Sequence, residues 1–151
     1  MINRFFDIDN NVYLNSYYIY ILMLDYKREI GINELIVKLY LLKYPKKLIN
    51  ILKDKEIRIE DDLLKDYQIN NIQSNMLKYS STVYVDGFNE AISYLYSKEI
   101  IDYNISKGTI FKGNVYKYID KENIDKNLIN ISKYINSIID IYGIEFIKKY
   151  L

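Results

Sequence analysis

The sequence predicts a mainly α-helical fold with a small β-hairpin, arranged as one winged-helix-like domain over residues 1–151. Three observations predict it. Tyr13 to Lys53 reads as three apolar helical segments separated by a glycine and by the chain's single proline, Pro45. Apolar residues return at helical spacing around Phe88, Ala91, Ile92 and Leu95, and again through Ile124, Leu128, Ile131, Ile135 and Ile138. Between those two stretches, Ile100 to Ile119 is rich in β-branched and aromatic residues punctuated by Lys107-Gly108 and Gly113-Asn114, the pattern of a hairpin or of three short strands. A helix that runs straight into a hairpin is how a winged helix ends.

The elements follow in order. Phe5, Phe6 and Ile8 precede an Asp/Asn cluster suited to helix capping, so the first dozen residues read as an arm that docks by its two phenylalanines. From Asn15, Tyr18, Ile19, Leu22 and Met23 mark a helix that is expected to run to about Ile30 and stop at Gly31. Asn33 is placed to cap a second helix, with Glu34 favourable in its first turn and Leu35, Ile36, Leu39, Tyr40 and Leu42 as its stripe. Pro45 suits a first-turn position and restarts a short third helix over Lys46 to Leu52, and the tight joint resembles a helix-turn-helix. Asp54 to Glu60 reads as a short strand or an extended linker. Another helix is expected from Asp61 to about Tyr79, a further one from Asp86 to Ser97 or Lys98, and a long one from Glu122, interrupted at Gly143 and finished by Ile144 to Leu151.

A chain of 151 residues can bury roughly two thirds of its unfolded surface, so a core forms without staples. Cysteine and histidine are both absent, which removes disulfides, thiolate nucleophiles, imidazole bases and the usual zinc ligand sets together. The acidic pairs Asp61-Asp62 and Asp120 with Glu122 are adjacent or nearly so, whereas a hydrolytic metal site needs carboxylates that converge from several elements. The five glycines are scattered and form no phosphate cradle. No catalytic residue, metal or cofactor is therefore assigned. The longest apolar run, Tyr17 to Leu24, is too short to span a bilayer and no leader pattern precedes it, so a cytoplasmic location is expected. The 18 tyrosines have two readings, a base-stacking surface or the codon bias of an AT-rich genome that also favours Ile, Asn and Lys.

Two surfaces remain as candidates. Lys43, Lys46, Lys47, Lys53, Lys55 and Arg58 cluster on and around the third helix, and Lys107, Lys112 and Lys117 lie on the wing, where they would neutralise phosphates or simply form a solvated face. The net charge of +1 and only three arginines argue against a protein whose main work is coating or reading nucleic acid. The apolar stripes of the first and last helices are broad, which favours a permanent partner or stripes that pack on one another. Tyr17, Tyr18, Ile21, Leu41 and Leu42 are the candidate partner-binding residues, buried in the domain or against that partner.

Asn15-Ser16-Tyr17-Tyr18 opening an apolar helix, a run closing in Leu41-Leu42-Lys43, and Lys46-Lys47-Leu48 after it resemble the middle components of ABC-type three-component systems, the group that includes the Lamassu antiphage systems. Those proteins open with Asn-Pro-Ala-Tyr or similar, carry a Leu-Pro-Leu-type run with a basic stretch, then a helix feeding a hairpin, and end on a helix with a glycine. Phe88 to Ile101, the hairpin and Tyr142-Gly143 follow that order over most of the chain, while Ser16 and Tyr40 stand where the family often has proline. The resemblance implies a non-enzymatic adaptor subunit that joins an SMC/Rad50-like ATPase to an effector, often a nuclease, in an assembly that senses invading DNA. A stand-alone winged-helix DNA-binding regulator is the competing expectation.

Overall fold

The structure, a computed structural model, describes residues 11–26, 28–59 and 81–151, with side chains of the last segment described from residue 87 onward. The expected arm and the expected helix from Asp61 to Tyr79 lie outside the described residues. Helix α1 spans Val12–Leu22 and is capped by Asn11, whose Oδ1 accepts from the Leu14 N–H at 3.0 Å. Strand β1 is the pair Ile30–Gly31 and leads directly into α2, Ile32–Lys43. Helix α3, Pro45–Asp54, carries its proline in the first turn, where no backbone donor is missed. After the undescribed stretch come α4 (Ser81–Ser97), β2 (Ile101–Asn104) and β3 (Thr109–Lys112). A 3-10 turn at Tyr116–Tyr118, α5 (Lys126–Tyr142) and α6 (Ile144–Lys148) complete the chain.

The architecture is mainly helical with one three-stranded antiparallel sheet in the order β1-β3-β2, an order compatible with a winged helix. Ile30 stands opposite Ile110 and Ile110 opposite Tyr103, so one apolar row crosses all three strands. Helix α2 is the centre of the molecule. It packs against α1, α3, α4, α5, α6 and β1, and every residue from Leu35 to Lys43 is buried. Around it stand Ile19 and Leu22 from α1, Leu48 and Ile51 from α3, Phe88 and Leu95 from α4, and Ile131, Ile135 and Ile138 from α5. Burying each such side chain contributes about 1.5–3 kcal/mol before ordering costs.

Several boundaries differ from expectation for identifiable reasons. The first helix ends at Leu22, not near Ile30: Met23, Leu24 and Tyr26 close turns on the carbonyls of Ile19, Ile21 and Met23. That early stop releases Ile30 and Gly31 to extend the sheet, so Gly31 is a strand residue preceding α2 instead of a helix terminator. Asn33 therefore lies inside α2, whose N-cap is Gly31. Residues 55–59 are turn and irregular chain, with no strand. Helix α4 begins at Ser81, ahead of the expected Asp86, and ends at Ser97 as its pattern indicates. The last long helix begins after Asp125, whose carboxylate accepts from the Asn127 N–H at 2.8 Å, and not at Glu122. Gly143, at φ +82°, lets α5 break into α6 where a side chain would be strained.

The tight α2–α3 joint is not the joint that feeds the hairpin. Helix α4 does that, and α3 is held by α2. The Gly113 N–H donates to the Ile100 carbonyl at 2.8 Å and the Val115 N–H to the Glu99 carbonyl at 2.9 Å, which ties the exit of β3 to the end of α4. A Cβ on Gly113 would run into that Glu99 carbonyl oxygen.

Candidate functional site

The residues that sequence reasoning offered to a partner are divided by the structure. Ile21, Leu41 and Leu42 are buried in the core, at 1%, 0% and 3% exposure, and present nothing to another chain. Their apolarity is explained by the central position of α2, which has neighbours on all sides. Tyr17 and Tyr18 are half-buried and pack against that core. The Tyr17 hydroxyl accepts from the Asp125 N–H at 3.1 Å and so ties α1 to the start of α5.

The proposed phosphate contacts divide in the same way. Lys43 is buried, and its Nζ donates to Asn15 Oδ1 at 2.9 Å, linking α2 to α1. Lys112 donates to the Leu24 carbonyl at 3.0 Å and lies over the Tyr116 ring, 4.7 Å from its centroid. Lys55 sits over Tyr142 and Phe146, 4.9 and 4.5 Å from their centroids, fastening the end of α3 to the C-terminal helices. The stems and charges of these three are used internally. Lys53 is exposed on α3, Lys46 and Lys47 are half-buried there, and Lys107 is exposed at the hairpin turn. The α3 lysines and the wing lysine thus sit on elements with different supports, α2 in one case and β1 with α4 in the other.

The surface that the fold does build lies between α4 and the sheet. Phe88, Ile92 and Tyr96 from α4 and Tyr103, Ile105 and Ile110 from the hairpin, together with Ile32, line a groove of about 400 Å³. The apolar row across the sheet explains it. Ile30 and Ile110 are covered, whereas Tyr103, on the edge strand, and Ile105, at the turn and 82% exposed, are not. Tyr96 and Tyr103 approach to 4.9 Å between ring centroids at 52°. The turn is rigid, because Asn104 Oδ1 accepts from Ser106 Oγ at 2.7 Å and from the Lys107 N–H at 3.3 Å. Helix α4, STVYVDGFNEAISYLYS, contains Asp86 and Glu90 and neither lysine nor arginine.

One buried charge escaped the sequence reading. Lys38, fully buried in α2, has its Nζ 3.2 Å from Glu34 Oε1, without the angle of a hydrogen bond, and 4.1 Å from the Tyr26 ring centroid. Burial lowers its pKa to about 8 against the opposing influence of Asp140, and burial followed by Asp140's charge raises that of Glu34. Each partner is pushed toward its neutral form, so desolvation outweighs their attraction. The spacing of Glu34 and Lys38 in an otherwise apolar run was the available signal.

Among the described residues no cluster of three or more metal-capable side chains occurs, and no helix is long and apolar enough to cross a membrane. No family model, curated protein or solved structure matches the chain.

Proposed function

We propose that this chain is a non-enzymatic, cytoplasmic adaptor subunit of a three-component antiphage complex, joining an SMC/Rad50-like ATPase to an effector. The observation that carries the protein-binding part is the groove between α4 and the hairpin. Tyr96 from α4, whose sequence carries two carboxylates and no lysine or arginine, and Tyr103 and Ile105 from the hairpin present aromatic and aliphatic surface there. Exposed aromatic and aliphatic groups on a rigid turn suit protein docking. Phosphate contact by the helix that feeds the hairpin is disfavoured by its charge, and with Lys43 and Lys112 engaged internally the DNA-regulator reading has less support. The defence assignment rests on the resemblance of Asn15 to Leu48 and of the later helix, hairpin and Tyr142-Gly143.

The test is co-expression of the tagged chain with the products of its neighbouring genes. The expected result is a complex of fixed stoichiometry containing a large coiled-coil ATPase and an effector. A chain that purifies alone and shifts duplex DNA at low salt would overturn the proposal in favour of the regulator.

A further inference from the structure

A separate concavity of about 300 Å³ opens between α1, the end of α4 and the loop after the 3-10 turn. Tyr13, Tyr17, Tyr20 and Tyr94 line it, and among the described residues Asp120 is the one charged residue in its wall. Tyr13 and Tyr94 stand edge to face, 5.4 Å between centroids and 86° between planes, so they form two adjoining walls instead of a single plate. Asp120 is held in place from its own loop: Oδ1 accepts from the Glu122 N–H at 2.8 Å and Oδ2 from Asn123 Nδ2 at 3.3 Å. Each of those oxygens keeps a further acceptor site. The hydroxyl of Tyr20 is buried and has no hydrogen-bond partner among the described residues.

Aromatic faces carry the negative end of a quadrupole, and the Asp120 carboxylate beside them adds to the same sign of field; the one cation near these rings, among the described residues, is the exposed Lys98, whose Nζ lies 6.0 Å from the Tyr94 centroid. An anion finds no cation in the described wall. A small inorganic cation would exchange its hydration shell for too few oxygen ligands. A weakly hydrated organic cation loses little water and gains both the ring faces and the apolar walls of Leu95, Ile100 and Ile119. We infer that this pocket binds a small-molecule alkylammonium, with the cationic head in the corner that the contacting Tyr13 and Tyr94 rings form, not between them, and balanced by Asp120. The inference is independent of the adaptor proposal and of the α4–hairpin groove.

The test uses the full chain and choline, followed by calorimetry and by tyrosine fluorescence, which is unobscured because the protein has no tryptophan. Saturable choline binding is expected, at least about tenfold tighter than that of its neutral tert-butyl isostere, in which carbon replaces the ammonium nitrogen. Tyr13→Ala, a change at a position 67% exposed and so tolerated by the fold, is expected to weaken choline roughly three- to tenfold. Asp120→Asn should weaken choline more than the isostere, and Tyr20→Phe should retain binding because the ring remains. Equal binding of choline and the isostere would overturn the inference, as would no saturable binding up to about 10 mM. A trimethyl-lysine peptide that binds more than about tenfold tighter than choline would overturn the small-molecule assignment.

Discussion

Helix α2 and the α4–hairpin unit are both apolar in sequence, and they use that apolarity in opposite ways. Leu35 to Lys43 is buried on every side because five other helices and β1 surround it. The hairpin and α4 bury one face, through Ile101, Ile110, Phe88 and Leu95, and leave Tyr96, Tyr103 and Ile105 outside. A wide apolar stripe is therefore a sign of central position as readily as of a partner. The surface available for docking is the shorter stretch in which a few large apolar groups remain uncovered on a rigid turn.

Truncation at matched positions breaks or sharpens this contrast. Leu41→Ala should cost about 2–5 kcal/mol, measured by urea unfolding, because the side chain is wholly buried and the cavity collapses only in part. Gly113→Ala should cost roughly 1–3 kcal/mol, since the added methyl meets the Glu99 backbone and must loosen the junction of α4 with the hairpin. Hydrogen exchange is expected to speed up in β2 and β3 before α2.

Replacing the pair as a unit, Glu34→Gln with Lys38→Met, acts in the other direction, neutral or stabilising by roughly 1–3 kcal/mol at pH 7, because no uncompensated charge is left behind. Lys38 has a folded pKa of about 8, below the unfolded value, so at neutral pH it is charged in both states and the folded state carries the desolvation cost. As pH rises above 8 the folded state releases its proton first, the unfolded chain holds more protons, and stability increases toward pH 10. Burial also lowers the pKa of Lys112, which adds a smaller rise of the same sign. Burial raises the pKa of Tyr20 and of Tyr116, so their contribution is present below pH 10 and is lost as the unfolded tyrosines ionise above it. Denaturant midpoints measured from pH 7 to 10 should rise in the wild type and rise less in the Glu34→Gln, Lys38→Met variant.

Tyr20→Phe should be neutral or stabilising by up to about 1 kcal/mol, because it removes a buried hydroxyl that has no partner among the described residues. Thermal melts of the two proteins give the comparison. Ile105→Ala should be the smallest effect, within about 0.5 kcal/mol, at a side chain 82% exposed.

The helical pattern, Pro45 at the start of α3, the Gly143 break and the hairpin between Ile100 and Ile119 were legible because each is written in local spacing or in a residue with restricted backbone freedom. Strand β1 was not. Two residues carry no period, and Ile30–Gly31 is a strand only because β3, nearly eighty positions later, supplies its partner. Lysine roles were hidden for a related reason. Lys43, Lys55 and Lys112 read as surface charge, but their use depends on Asn15, on Tyr142 and Phe146, and on the Leu24 carbonyl, all distant in the chain. The candidate groove was half legible: its hairpin residues were in view, while their pairing with Tyr96 and Ile32 required the packed structure.

If the chain is the adaptor proposed, the α4–hairpin groove, and not the α1–α2 face, is its docking surface. The most direct measurement is co-purification of the products of the neighbouring genes with the wild-type chain and with Ile105→Asp, each checked by thermal unfolding. The account predicts that Ile105→Asp melts like the wild type and loses the complex. A complex that survives Ile105→Asp at unchanged stoichiometry would contradict it.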